Sequence, residues 1–230
     1  MQVTLLSYTP EPDKLVAIAA KQCYSAKIAS EIKKSLTDEE VAKFVQKLFD
    51  LGHESPFEHV SFTFGISGVS RNLSHQLVRH RIASYSQKSQ RYVNEGDMIK
   101  KCIIPPSIDK NEELKETFVS LLQNLQNAYD IFVKAGVKKE DARYILPSAC
   151  STDIVVTMNA RSLFNFFNHR CCTRAQWEIR LMANLMLKEV KKVAPNIFAK
   201  AGATCENLGY CPEGNMSCGR FPTLDKIKNN

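Results

Sequence analysis

Fourteen residues hold the densest chemistry in the chain: Arg79-His80-Arg81-Ile82-Ala83-Ser84-Tyr85-Ser86-Gln87-Lys88-Ser89-Gln90-Arg91-Tyr92. Three arginines, a lysine, a histidine and three serines share that run. Guanidinium forks match phosphate oxygens, and hydroxyls add further donors. No Asp or Glu occurs between Glu58 and Glu95, while Arg71, Arg79, Arg81, Lys88 and Arg91 all fall there. A solvated protein face mixes charge signs, so the window reads as an anion site. A second acid-free window, from Asp153 to Glu178, contains Arg161, Arg170 and Arg174. The two windows are candidates to converge on one anionic ligand set.

The glycine-based ways of holding nucleotides are missing. No two glycines stand in a G-x-G arrangement, which removes the Rossmann fingerprint and the Walker A loop. A bound dinucleotide would have to be held by Arg, Asn and hydroxyl side chains. H-E-x-x-H and G-x-S-x-G are absent too.

The elements that must position these residues can be read in order. Val3 to Tyr8 is expected as an opening strand, followed by a helix capped by Asp13, with Leu15, Ile18 and Ala19 on its apolar face. Thr37-x-x-Glu40 is a capping box that starts a second helix carrying Val41, Phe44, Val45, Leu48 and Phe49, with Gly52 at its stop. Residues 53–59 form a polar connection. Val60 to Ser67 alternates as a strand with one buried face. Val69, Leu73 and Leu77 then recur every four residues, so Gln76 and Arg79 are expected to project from one helix. The basic run follows as a loop, and an extended stretch continues through Pro106.

A long helix is predicted from about Asn111 to Lys134. Leu114, Phe118, Leu121, Leu125, Tyr129 and Phe132 form its apolar stripe, for core or subunit packing. A short helix carrying Arg143 ends at Pro147. Ile154 to Met158 is strand-like, and Asn159 caps a helix with Arg161, Asn165 and Asn168 on one side and Leu163, Phe166 and Phe167 on another. Thr173-x-x-Gln176 opens the last major helix, with Trp177, Leu181, Leu185 and Met186 inward. A short helix near 196–200 and a Cys- and Gly-containing tail close the chain. The reading is one mixed α/β domain of the α+β type over residues 1–230. A central, largely antiparallel sheet is flanked by long helices, with no Rossmann fold.

The bulk numbers agree. A formal charge of +7 and a pI near 8.9 favour anionic partners. The first residues lack the basic region and apolar core of a signal peptide, and no run reaches membrane-spanning length, so the expected location is cytoplasmic. Eight cysteines include no C-x-x-C pair, and in a reducing compartment most are expected as thiols, with no metal site.

The run fills every fixed position of R-H-R-x-x-S-x-x-x-x-S-x-R-Y: Arg79, His80, Arg81, Ser84, Ser89, Arg91 and Tyr92. That pattern resembles the signature of the flavin-dependent thymidylate synthases. His53-Glu54-Ser55-Pro56-Phe57-Glu58-His59, Asn159-Ala160-Arg161-Ser162-Leu163 and Arg170 followed by Ala175 to Ile179 extend the resemblance over residues 1 to about 195. It implies conversion of dUMP to dTMP by a methyltransferase with FAD as cofactor, methylenetetrahydrofolate as one-carbon donor and NADPH as reductant. It also implies a homotetramer whose sites use several chains.

By position, the resemblance implies dUMP contacts at Gln76, Arg79, Gln87, Ser89, Arg91, Arg143 and Arg170. It implies FAD contacts at Ser55, Glu58, Arg79, His80, Arg81, Gln87, Asn159, Arg161 and Asn165. Related enzymes often carry Glu where this chain has Gln87. C5 of uracil is a poor nucleophile, and a cysteine adding to C6 is one remedy. The only cysteines in either window, Cys171 and Cys172, are not motif positions, so the alternative is polarisation of the ring by Arg170. His53 is assigned as a proton or folate-site helper, or as a loop histidine with a structural role. Two other readings stay open at the level of sequence: a basic nucleic-acid-binding module, and an interaction protein organised by metal at Cys205, Cys211 and Cys218.

Overall fold

The computed structural model describes residues 1–93 and 97–228 of the chain. In chain order the elements are β1 (Gln2–Tyr8), α1 (Pro12–Gln22), α2 (Ala29–Ser35), α3 (Asp38–Asp50), β2 (Ser61–Ser70), α4 (Arg71–Leu77) and β3 (Ala83–Gln87). Then follow α5 (Met98–Lys101), α6 (Pro106–Asp109), α7 (Glu112–Lys134), α8 (Lys139–Ala142), β4 (Ser151–Asn159), α9 (Ala160–Arg170), α10 (Trp177–Val193), α11 (Thr204–Leu208) and α12 (Leu224–Lys228). The strands form one four-stranded antiparallel sheet in the order β1-β2-β4-β3. The expected mixed α/β class and antiparallel sheet are therefore observed.

The chain groups into two compact units. One comprises residues 1–2, 66–79 and 85–155, the other 3–65, 80–84 and 156–230. The signature run is divided between them.

In the first unit, the buried core gathers Met98, Cys102, Leu122, Tyr129, Ala142 and Cys150, backed by Phe118, Leu125 and Val133. The α7 stripe is therefore rotated from its expected position. Phe118, Leu125 and Tyr129 face this core, whereas Leu114 is 49%, Leu121 57% and Phe132 39% exposed. A helix rich in apolar residues on two sides leaves the seam ambiguous in sequence, and packing selects the side that meets Met98 and Cys102. The expected extended stretch after Tyr92 contains α5 instead, and α6 begins at its last residue, Pro106; Asn94, Glu95 and Gly96 within it lie outside the described residues. The Arg91 to Arg79 loop also holds a strand, β3. Burial pushes the Tyr85 phenol up to about 12, and its hydroxyl donates to the Leu77 carbonyl at 2.9 Å, tying β3 to the end of α4.

In the second unit, α3 begins with the expected capping box. Thr37 Oγ1 accepts from the Glu40 amide at 3.3 Å, and the Glu40 carboxylate accepts from the Thr37 amide at 2.9 Å. Asp13 does not cap α1. Glu11 occupies the N-cap position without a side-chain capping bond, and the Asp13 carboxylate instead accepts from the Asn196 and Ile197 amides at 3.0 and 3.1 Å. That bond fastens residues 194–200, which form turns where a short helix was expected. The amides there have a remote acceptor, so a regular helix is not needed to satisfy them.

Helix α10 is capped by the Gln176 side chain, which accepts from the Glu178 and Ile179 amides, and not by Thr173. Its buried face is Ile179, Met182, Ala183, Met186 and Val190, while Leu181 is 47% exposed. Phe49, Phe57 and Phe164 meet with ring centroids 4.7–5.4 Å apart, and Phe198 stands 5.4 Å from Phe164. Each such aromatic pair adds about 0.5–1.5 kcal/mol beyond the area it buries. Phe164 belongs to α9, so this cluster fastens α9 to α3 and to the turn that carries Phe57. Helix α2 carries little sequence signal, with Ile32 its one buried anchor.

Candidate active site

In the second unit, the site residues hang on α9 and on two short connections. Asn159 caps α9 as expected, its Oδ1 accepting from the Ser162 amide at 2.8 Å. The Ser162 hydroxyl donates to the Ile82 carbonyl at 3.0 Å, which staples segment 80–84 to the start of that helix. Ile82 adopts φ 61°, a left-handed conformation rare for a β-branched residue. The connection before β2 is a 3₁₀ turn, Ser55–His59, in which Pro56 and Phe57 are buried. Ser55 and Glu58 are therefore left on the surface.

Arg161 reaches that turn. Its Nη1 donates to Glu58, and its Nε to the Glu54 carboxylate at 3.2 Å. These hydrogen bonds and charges hold the guanidinium above its ordinary pKa. The second acid-free window is thus free of acids in sequence only. Arg174 likewise meets Glu213 at 2.7 Å. Asn168 serves the tail: its side-chain oxygen accepts from Asn207 at 3.1 Å. Asn165 and Arg81 are exposed.

At the far end of α9, Arg170 Nε donates to His80 Nε2 at 2.9 Å. The His80 ring also stands edge-on to Phe166 at 4.9 Å. Burial first, then the charges of Arg170 and His169, lower the His80 pKa to about 4. At neutral pH the imidazole is uncharged, and with Nε2 accepting, its proton sits on Nδ1. The neutral imidazole accepts from the guanidinium and adds no charge of its own.

His53 is exposed and lines a groove of about 370 Å³ with Tyr24, Leu48, Glu54 and Ser55. It also borders an apolar groove of about 740 Å³ edged by Lys21, Lys27 and Lys47.

In the first unit, Glu140 is the organiser. Its carboxylate pairs with Arg91 Nη2 at 2.9 Å, and its carbonyl accepts from Arg143 Nε at 3.1 Å. Ser89 Oγ accepts from the Arg91 amide at 3.2 Å. Ser89, Arg91 and Arg143 are thereby brought together. Gln87, at the end of β3, donates to Thr152 Oγ1 at 3.3 Å. Gln76 lies on α4 as expected, but Arg79 does not share that helix. Helix α4 ends at Leu77, and Arg79 lies exposed in the turn beyond it. Of the Val69-Leu73-Leu77 series only Leu73 and Leu77 lie on the helix, because Val69 belongs to β2. Arg71 donates to the Lys88 carbonyl at 2.6 Å, so this cation shapes the chain leaving β3.

Sequence reasoning missed Glu54 and Glu140. Glu54 sits inside the quoted 53–59 segment and was within reach. Glu140 lies 49 residues from Arg91, and no local pattern joins them.

A family model described as "Thymidylate synthase complementing protein" matches residues 4–196. The chain is 54% identical to a flavin-dependent thymidylate synthase of Clostridium tetani, over 99% of this chain and 96% of that protein. It belongs to the flavin-dependent thymidylate synthase family. A flavin-dependent thymidylate synthase from Geobacter sulfurreducens is 51% identical over 99% of this chain and 97% of its own length. One from Pyrococcus furiosus is 43% identical over 94% and 91%. The fold also matches a crystal structure of a UMP/dUMP methylase, PolB, from Streptomyces cacaoi bound with 5-Br dUMP. That match has a TM-score of 0.73 at 23% identity and covers 86% of this chain and 93% of that one.

The donors of the second unit fit the flavin cofactor that the family name implies. A dinucleotide presents a pyrophosphate and a ring edge with hydrogen-bonding groups. Exposed Arg81 supplies net charge. Arg161, its charge offset by Glu54 and Glu58, supplies N–H donors held in direction. The Asn159 amide nitrogen is left over after its oxygen has capped α9. Among the described residues no helix is long and apolar enough to cross a membrane, and no group of His, Cys, Asp and Glu is arranged to hold a metal.

Proposed function

We propose that this enzyme performs the reductive methylation of dUMP to dTMP, with methylenetetrahydrofolate as one-carbon donor. Ser55, Glu58, Arg79, His80, Arg81, Gln87, Asn159, Arg161 and Asn165 would hold FAD. Gln76, Arg79, Gln87, Ser89, Arg91, Arg143 and Arg170 would hold dUMP. When bound, FAD reduced by NADPH supplies the hydride.

The observation that carries the reading is Arg170 gripped by a neutral His80. The bond to His80 orients the guanidinium, whose planar fork matches a planar acceptor edge. The O2/N3 edge of a uracil ionised at N3 is such an acceptor. A preorganised cation there stabilises negative charge spreading into the ring, which raises the nucleophilicity of C5. No thiolate is required. Cys171, the cysteine beside Arg170, is buried with its thiol pushed up to about 12, so it stays protonated and unreactive at neutral pH. Ser89 acts as a ligand contact. Arg91 is half-exposed against Glu140, and an exposed pair of that kind contributes only about 0–1 kcal/mol. A nucleotide phosphate can therefore take Arg91 over at small cost. His53, bordering both grooves, is assigned to the folate side. The working form is proposed to be a cytoplasmic homotetramer.

The test is an absorbance spectrum of the purified protein, repeated with dUMP added. A flavin spectrum that shifts on adding dUMP supports the reading. A colourless protein that takes up no added FAD sinks it and transfers weight to nucleic-acid binding.

A further inference from the structure

Outside the site, one pair of side chains has the geometry for chemistry that the proposed reaction does not use. Cys102 follows α5 and Cys150 precedes β4, and the two form an isolated antiparallel bridge. The Ile103 amide donates to the Ala149 carbonyl at 2.8 Å beside them, so the two backbones are held in register. Residues facing each other across an antiparallel pair have Cα atoms about 4.5–5.5 Å apart. A disulfide spans about 4.4–6.8 Å between Cα atoms. The sulfurs are already 3.5 Å apart, and both residues are buried in the first unit's core, at 7% and 3% exposure.

We propose that Cys102 and Cys150 are a modification site: a thiol pair that peroxide converts into an intramolecular disulfide. One thiolate attacks a peroxide oxygen. An S–O bond forms, the O–O bond breaks, and the departing hydroxide leaves as water with a proton. The second thiol attacks that sulfur. The S–S bond forms, the S–O bond breaks, and the second water carries away the last proton. The sulfurs give up two electrons in all, and the peroxide takes them. Burial slows the first attack, and the preset bridge speeds the second, because the partner sulfur stands at contact distance.

The bond would join residues 48 apart. The same core holds Ala142, the residue before Arg143, and the Cys150 carbonyl accepts from the Arg71 amide at the start of α4. Oxidation therefore stiffens the unit that carries Gln76, Arg91 and Arg143.

The protein as purified is treated with hydrogen peroxide, its remaining thiols are alkylated, and it is digested with trypsin. The expected product is peptide 102–110 linked to peptide 144–161, two hydrogens lighter than the sum of the two and separated by dithiothreitol. Sulfinic acids at exposed Cys23 and Cys218 do not mimic that mass. Melting temperature is expected to rise by about 4–16 °C on oxidation, reversibly, and not in Cys102→Ser. Two alkylated peptides after treatment, or Cys150 linked to a cysteine other than Cys102, would overturn the proposal. The wild-type digest decides this even where Cys102→Ser fails to fold, and Cys150→Ala repeats the thermal control.

Discussion

Arg91 and Arg170 are the same side chain in opposite settings. Arg91, in the first unit, is 50% exposed and meets a carboxylate on a helix that precedes Arg143. Arg170, in the second, is half-buried and meets an uncharged imidazole backed by Phe166. The exposed carboxylate pair is screened and cheap to exchange. The imidazole grip lies in a lower dielectric, where each charge acts more strongly and a misplaced donor costs more. The first arrangement suits capture of a phosphate that arrives and leaves. The second suits a fixed cation that waits for charge to develop.

The sharpest way to break this contrast is at Arg170. Arg170→Ala is expected to lower kcat by at least about a hundred-fold with the fold intact, as measured by circular dichroism and turnover. Arg170→Lys is expected to recover little, because an ammonium offers no planar fork. Retention of most activity in Arg170→Ala would remove the polarising role.

A second effect falls on stability against pH. The folded-state pKa of His80 is depressed from 6.5 to about 4, so between those values the unfolded chain binds more protons than the folded one. Stability therefore rises with pH across that window, and the contribution is fully present above about pH 6.5 and lost as pH falls toward 4. Urea titrations from pH 4 to 7 on the wild type and His80→Asn test this. The variant is expected to show a shallower slope, and equal slopes would mean that His80 is not the titrating group.

The smallest effect is expected at Glu140. Glu140→Gln removes the charge that competes for Arg91, so dUMP is expected to bind about two- to five-fold tighter, with stability changed by less than about 1 kcal/mol. Arg91→Ala is expected to weaken dUMP binding about ten- to a hundred-fold, the cost of a charge-assisted contact. Weaker dUMP binding in Glu140→Gln would recast Glu140 as a positioning residue for Arg91.

Much of this could be read from the chain, and the misses have physical causes. The capping box at Thr37, the Asn159 cap and the alternation in β2 are local rules, and each one is found. Asp13 and Thr173 also fit local capping rules. They lost to a remote amide pair at residues 196–197 and to the nearer Gln176 side chain. The cations were visible as types and spacings, but their partners were not. Glu58 lies 103 residues from Arg161 and His80 lies 90 from Arg170. A window without acids does not describe a space without acids.

Ile82 carries a last consequence, for protein engineering. It combines a left-handed backbone with a β-branched side chain that is 78% exposed. Any campaign that ranks positions by how readily they could be relaxed would choose it early, with glycine as the obvious replacement. That same crease follows His80 and Arg81, and the Ser162 staple holds it. A thermally improved variant made there would gain melting temperature by loosening the turn that follows His80, the partner of Arg170. Screens at this position need an activity readout beside the thermal one.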